Sequence, residues 1–468
     1  MVTHRSTILQ PHRCLRVNKL VTSKVKSHHR GVDSARFSDT LALASTIFAV
    51  SIGIYLIHGA IPSLKNFPNQ TIQSLAQLFG ILTTLSALYG ITLAARPRYI
   101  ENSVGLDVML VWHRYLGEAS AVFLIIHMAL ELVSRSSLGG YWLAFKALTG
   151  GDSYMALASI GALGFLVITL TSLKTIRRKL SYETWYFIHL TIYGAVLLGF
   201  WHQIYLGIDF VNDTTARNYW IALHLLVLVI VIKARLGSLI KAIFRPLTLS
   251  SINQSAHDTL ELTLTGPSLS KMKAESGQFA MLRFITPSLW FESHPFSLSA
   301  APKKTGIRFT IKTKGDATRL LKNLQVGQKV ILEGPYGAIV KSRIGAQPTI
   351  LIAGGVGIAP IRALLEDFTP ENQPHVIFRV KTEDDIVHLQ ELKQLLSEKK
   401  GSLTIITGST RELKTNPFDP AYLKSTIPDL AIRQAILCGP ESMVLAGVRG
   451  LLSAGLPSES IHYERSWW

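Results

Sequence analysis

Cysteine is scarce: two residues in 468, Cys14 and Cys438. That count excludes a disulfide framework and any four-cysteine iron–sulfur cluster within one chain. No Cys-x-x-Cys-His stretch occurs either, so a haem bound here would carry no thioether link. Charged side chains make up 17% of the chain, against about a quarter in an average soluble domain, and acid is the rarer sign. The net charge of +18 comes without any basic, aromatic-interleaved module, which leaves nucleic acid no recognition element. Calcium-binding loops, internal repeats, low-complexity runs and obvious docking modules for a regulatory subunit are also missing. The first forty residues hold eight Lys or Arg against two Asp, with no apolar core of the kind that makes a signal peptide. They read as a basic tail on an anionic membrane face, or as an Arg- and Ser-bearing transit segment.

What the chain has in quantity is apolar length, with 48% hydrophobic residues and a mean hydropathy of +0.29. Six segments at 41–60, 72–94, 109–133, 153–173, 184–206 and 218–240 are each long enough to cross a lipid bilayer. Sorting their flanks alternately puts eighteen Lys or Arg on one side and four on the other. That asymmetry places the N-terminus and everything after residue 240 in the cytoplasm. The expected order is therefore a tail over 1–40 and a six-helix transmembrane bundle over 41–240. After Pro246 the texture becomes short alternating runs such as GIRFTIKTKG, which predict an antiparallel β-barrel over 246–345. From 347 to 468, apolar strands such as TILIAGG and QAILCGP alternate with helix-like stretches, the pattern of an α/β Rossmann-like domain.

The stretch WHRYLGEASAVFLIIH carries His113 and His127 in the third span, and the fifth carries His189 and His202. Separations of 14 and 13 residues correspond to roughly 21 and 20 Å of helix, about two-thirds of the hydrocarbon core. Both helices run the same way, so His113 lies level with His189 and His127 with His202. Two facing imidazoles at one depth suit bis-histidine ligation of a haem iron, and two pairs suit two stacked b-type haems. A lone intramembrane histidine more often bonds only to a neighbouring helix, and that reading applies to His58 and His224. Thirteen residues fall about 140° short of four turns, so the fifth span needs a kink, a tilt or a different haem azimuth. Glu118 lies between the two levels and reads as a paired or protonated carboxyl facing the bundle. Glu131 lies one turn beyond His127.

In LIAGGVGIAPIRALL, Gly354, Gly355 and Gly357 follow a predicted strand and open a helix, where a tight turn and a helix N-terminus favour a phosphate. CGPESM, Cys438 to Met443, closes a later strand.

Beyond its tail, the chain resembles the ferric reductase and NADPH oxidase superfamily: paired histidines in six helices fused to a ferredoxin-reductase-type module. HPFSLSA is similar to that family's flavin motif. The resemblance implies that His294, Pro295, Phe296 and Ser297 line the isoalloxazine and reach the ribityl and phosphate groups of FAD. IKTKGDATRLL resembles its second flavin element, with Gly315, Asp316 and Thr318 at the pyrophosphate. Cys438, Gly439 and Pro440 would border the nicotinamide, although Cys438 also reads as a plain buried thiol. Arg379, Thr410 and Arg411 fall where the family contacts the adenosine end, and a cation there favours NADPH over NADH. Relatives end in an aromatic residue stacked on the flavin, for which Trp468 is the candidate.

Together these features imply a plasma-membrane oxidoreductase. Electrons would pass from cytoplasmic NAD(P)H through FAD and two haems to a ferric chelate or oxygen on the other side. This chain has Glu131 where eukaryotic NADPH oxidases carry a further histidine, a departure that counts against an oxygen-reducing pocket without establishing iron as the acceptor. A haem-bearing membrane subunit serving a separate enzyme is the alternative; the flavin and nicotinamide motifs in the same chain argue against it.

Overall fold

The computed structural model describes residues 34–57, 69–137, 139–290, 292–337, 339–408 and 416–463. His58, Thr410, Arg411 and Trp468 lie outside them, as does the side chain of Asp316. The chain divides into two compact units, a helical one over Ser34–Gly237 and a second that includes Ser238–Trp468.

Six helical stretches among the described residues are long and apolar enough to cross a membrane. They are α1 (Ser34–Tyr55), α2 (Asn69–Ala94), α3 (Leu106–Ser136), α4 (Ser153–Ser172), the pair α5 (Tyr182–Leu190) and α6 (Ile192–Leu206), and α7 (Thr214–Val231). Polar residues start several of them: Asp152, Ser181 and Asp213 accept hydrogen bonds from backbone amides in the first turns of α4, α5 and α7. α1 begins inside the stretch read as tail, because Phe37 packs on Trp112 with ring centroids 6.4 Å apart.

With no water to exclude, helices in lipid associate through small residues and scattered hydrogen bonds. Here Ser120 Oγ donates to the Thr83 carbonyl (2.8 Å), Tyr89 to Ala44 (2.7 Å), and Ser51 pairs with Tyr219 (3.0 Å). Such bonds contribute about 0.6 kcal/mol each on average. α2 is the most enclosed span, with 44% of its apolar window buried against 6% for α1. It is therefore the element against which the functional side chains of α3 can be fixed.

In the second unit, β1 (Leu247–Ala256), β2 (Thr259–Thr265), β3 (Phe279–Phe284), β4 (His294–Ser297), β5 (Ile307–Lys312) and β6 (Lys329–Tyr336) form an antiparallel sheet in the order β4-β3-β6-β1-β2-β5. A bridge between Leu298 and Phe309, with the Ser299 amide donating to the Arg308 carbonyl (2.8 Å), closes it into a barrel. Period-two alternation buries Leu260, Leu262 and Leu264 in the barrel core and turns Glu261 outward.

β7 (Thr349–Gly354), β8 (His375–Val380), β9 (Ser402–Thr407), β10 (Gln434–Cys438) and β11 (Ile461–Tyr463) form a parallel sheet in the order β11-β10-β7-β8-β9. Ile350 and Ile352 pack into one apolar cluster and Leu351 and Ala353 into another, so β7 is covered on both faces as parallel strands require. The crossover helices include α8 (Ile358–Asp367), α9 (Leu389–Glu398) and α10 (Glu441–Ser453). Strand order reverses between β7 and β10. In open α/β sheets the crevice at the carboxyl ends of such strands is the usual ligand site.

Candidate functional site

α3 and the α5–α6 pair bring the four histidines together as two pairs. The His113 and His189 rings lie 5.9 Å apart between centroids, and the His127 and His202 rings 6.5 Å apart. The fifth span breaks at Thr191, which separates α5 from α6 and lets two histidines thirteen residues apart address one side.

Three of the four rings have a determined tautomer. His113 Nδ1 lies 2.9 Å from the Gly90 carbonyl and His127 Nδ1 2.7 Å from the Ala76 carbonyl; a carbonyl only accepts, so both nitrogens donate. Ser172 Oγ donates to the Ile168 carbonyl (2.7 Å) and accepts from Trp185 Nε1 (3.3 Å). Its remaining lone pair faces His189 Nδ1 at 3.3 Å, so that nitrogen donates as well. Each of these rings keeps an Nε2 lone pair, the arrangement found where a second-layer acceptor orients a metal-ligating imidazole. His202 differs: its buried Nδ1 makes no hydrogen bond of normal geometry and leans instead on the backbone of Gly199 in its own helix. His224 fits the plainer reading, with Nδ1 against the Trp220 carbonyl at 2.9 Å and its ring between Phe200 and Trp220.

Sequence reasoning did not find the residues that make room for these rings. A Cβ on Gly80 would sit 3.2 Å from the His127 ring, and one on Gly90 3.6 Å from His113 Nδ1. The signal was a pair of glycines in the apolar LFGILTTLSALYG of α2. Trp185 was missed too; it stacks on His189 at 5.0 Å with the Arg177 guanidinium 4.6 Å from its ring.

The carboxylates are less enigmatic than their positions suggested. Glu118 accepts from Arg114 Nε at 2.8 Å on the outside of the bundle, so it is paired but does not face the interior. Glu131 pairs with Arg135 at 3.0 Å. The 3.6-residue period puts residues four apart on one face, which accounts for both pairs.

In the barrel, β4 presents His294, Pro295, Phe296 and Ser297 half-buried at one end of the sheet. His294 Nε2 is bound to Glu292 at 2.6 Å, which orients the ring and leaves Nδ1 for other partners. The hydroxyls of Ser293 and Ser299, on either side of the strand, are buried without partners. Gly315 and Asp316 open the short helix Asp316–Leu320, where Thr318 Oγ1 bonds to the backbone of Gly315 (2.9 and 3.0 Å). Thr318 thus shapes the turn from within.

β7 and β10 bring the glycine turn and CGPESM together. In the parallel register Cys438 lies opposite Ala353. A Cβ on Gly357 would meet the Cys438 carbonyl at 2.3 Å, so the two motifs touch backbone to backbone and only glycine fits. The turn Gly355–Gly357 runs into α8, and β5 of the barrel lies against it. Gly439 and Pro440 follow β10 at the same edge, and Arg379 pairs in register with Gly354 on the other side. Thr410, Arg411 and Trp468 lie outside the described residues.

This is the layout of a membrane oxidoreductase: a histidine-bearing helical bundle joined in one chain to flavin- and nicotinamide-type domains. Residues 79–200 match the family of ferric reductase like transmembrane components, 244–340 an FAD-binding domain, and 351–448 an oxidoreductase NAD-binding domain. In this order the three matches have the architecture of a ferric reductase fusion. A ferric/cupric reductase transmembrane component of Candida albicans is 24% identical over 308 residues, 64% of this chain and 38% of that protein. The ferredoxin–NAD(P)+ reductase component of the naphthalene 1,2-dioxygenase/salicylate 5-hydroxylase systems of a Ralstonia species is 27% identical over 210 residues, 42% of this chain and 62% of that one. This chain spans less than two thirds of the length of either curated relative. An Amycolatopsis cytochrome P450 reductase structure superposes with a TM-score of 0.41 at 21% identity, over 47% of this chain and 69% of that one.

Proposed function

We propose that the protein is a transmembrane oxidoreductase that takes electrons from NAD(P)H, preferably NADPH, and delivers them across the membrane to a ferric chelate or to oxygen. FAD held by the barrel and two b-type haems held by the histidine pairs would supply the redox chemistry that turns a two-electron hydride donor into a source of single electrons. The charge asymmetry of the flanks puts the flavin and nicotinamide domains in the cytoplasm, with the plasma membrane the expected location.

The chain's own part is binding and orientation. His113 and His189 would hold one haem, His127 and His202 the other. Ring centroids 5.9 and 6.5 Å apart leave room for a metal ion between the members of each pair. Ala76, Gly90 and Ser172 fix the rings with Nε2 outward. β4 and the turn at Gly315 would seat FAD, while Gly354–Gly357 and Cys438–Pro440 would seat the dinucleotide. Because two histidines address each metal position, an acceptor would take its electron by contact and not by ligation. Glu131, paired with Arg135, offers no free carboxylate to draw a cation.

The observation that carries this reading is the two facing histidine pairs, three of whose four rings have Nδ1 tied to an acceptor. Its test is the detergent-purified protein, supplied with FAD and NADPH without oxygen. The haem Soret and alpha bands should shift to the reduced form; bands that stay oxidised would contradict it.

A further inference from the structure

Outside the cofactor motifs, the densest cluster of charge in the described residues lies between the barrel and the parallel sheet. Arg308 of β5 reaches Glu391 of α9 with Nη2 at 2.9 Å from Oε2, and Glu261 of β2 with Nη1 at 3.4 Å. Arg362 of α8 approaches the same Glu391 oxygen at 2.5 Å and also pairs with Glu366. Both guanidiniums then converge on one backbone atom, the carbonyl oxygen of Ser299, at 3.0 Å from Arg308 and 3.2 Å from Arg362. Ser299 is the sixth residue of HPFSLSA, and Arg362 lies one turn into the helix that follows Gly357. One carboxylate therefore holds two cations that tie the end of the flavin strand to the helix behind the glycine turn.

The chemistry of the cluster favours that tie over a metal. Glu261, His388 and Glu391 bring donor atoms within 4.8 Å of one another, but the carboxylates already face two guanidiniums. Burial alone would raise the Glu391 carboxyl; the hydrogen bond and charge of Arg308, with the charge of Arg362, bring it instead to about 2. Glu391 is thus ionised at any working pH. His388 orients it: Nδ1 donates to Glu391 Oε1 at 3.2 Å, and Nε2 accepts from the Thr310 hydroxyl at 2.9 Å. His388 makes both contacts from a left-handed backbone (φ 60°).

We infer that Glu391, gripped by Arg308 and Arg362, is a positioning residue that sets the distance between the nicotinamide crevice and the flavin strand. The inference rests on the reading that these domains bind NAD(P)H and FAD. Hydride transfer is sensitive to placement at the level of an ångström, so a loosened tie should act on turnover before it acts on binding.

The test uses the full-length protein with FAD, measuring NADPH-driven ferricyanide reduction. Wild-type turnover checks the underlying reading by itself: no NADPH oxidation there would defeat that reading. Given an active wild type, Glu391→Gln should lower kcat about 10- to 100-fold with the KM for NADPH and the FAD content unchanged. Removing one charge from a buried cluster can unfold a domain, so Arg308→Lys, which keeps the charge and loses the fork, must lower kcat in the same way. Lys312→Ala, which removes the separate Lys312–Asp385 pair (2.8 Å), should leave kcat nearly unchanged. Unchanged kcat in Glu391→Gln would overturn the inference. So would FAD content falling in step with kcat in both variants, or an equal loss in Lys312→Ala.

Discussion

The two histidine pairs are built from the same parts but braced differently. Around His113 and His189 both Nδ1 atoms have acceptors, Gly90 O and Ser172 Oγ, and Trp185 lies flat against His189. Around His127 and His202 only His127 reaches an acceptor on a neighbouring helix; His202 Nδ1 has the backbone of Gly199 in its own helix, without a hydrogen bond of normal geometry. A hydrogen-bonded Nδ1–H makes the opposite nitrogen more basic and favours the oxidised metal. On this account a haem held near Ser172 would have the lower potential and one held near His202 the higher, and the gradient would run downhill in the direction of the proposed electron flow.

The largest effect expected from breaking this arrangement is loss of a ligand. His202→Leu should remove one of two haems and abolish acceptor reduction, while NADPH still reduces the flavin; retention of both haems, counted by pyridine haemochrome, would withdraw the assignment. Gly80→Val comes next. Its side chain would meet a His127 ring already 3.2 Å from where a Cβ would stand, and haem occupancy should fall towards one per chain. Gly90→Ala, with 3.6 Å available, should keep both. A smaller change follows from Ser172→Ala, which leaves both haems but deprives His189 of its acceptor. One midpoint potential should rise on the order of tens of mV, and Ser172→Thr should restore it. The smallest belongs to Glu118→Gln: its pair with Arg114 is on the exterior, so haem content and reduction rate should stay within about twofold of wild type, as expected for an exposed ion pair.

How much of this was legible in the sequence depended on whether a residue announces itself. Four ionisable side chains in apolar spans stand out, and their spacing of 14 and 13 suggests two levels and leaves a kink, a tilt or a different haem azimuth open; the structure has a break at Thr191. Their braces do not stand out. Glycine in a span has many uses, so Gly80 and Gly90 become meaningful only when α2 is seen against α3. A terminal serine such as Ser172 looks like any helix end. Glu118 was the opposite case: the i, i+4 rule already offered Arg114 as its partner, yet which side of the bundle it faces needed the packing. In the second unit the strand textures and glycine turn could be read locally. The Glu391 cluster joins residues separated by 83 and 130 positions, which no local pattern reveals.

A redox titration of the purified protein followed by low-temperature electron paramagnetic resonance tests the central claim most directly. Two low-spin ferric signals per chain that disappear at different potentials, with only the lower moved by Ser172→Ala, is the predicted result. A single haem, or two signals that titrate together and ignore Ser172, would contradict it.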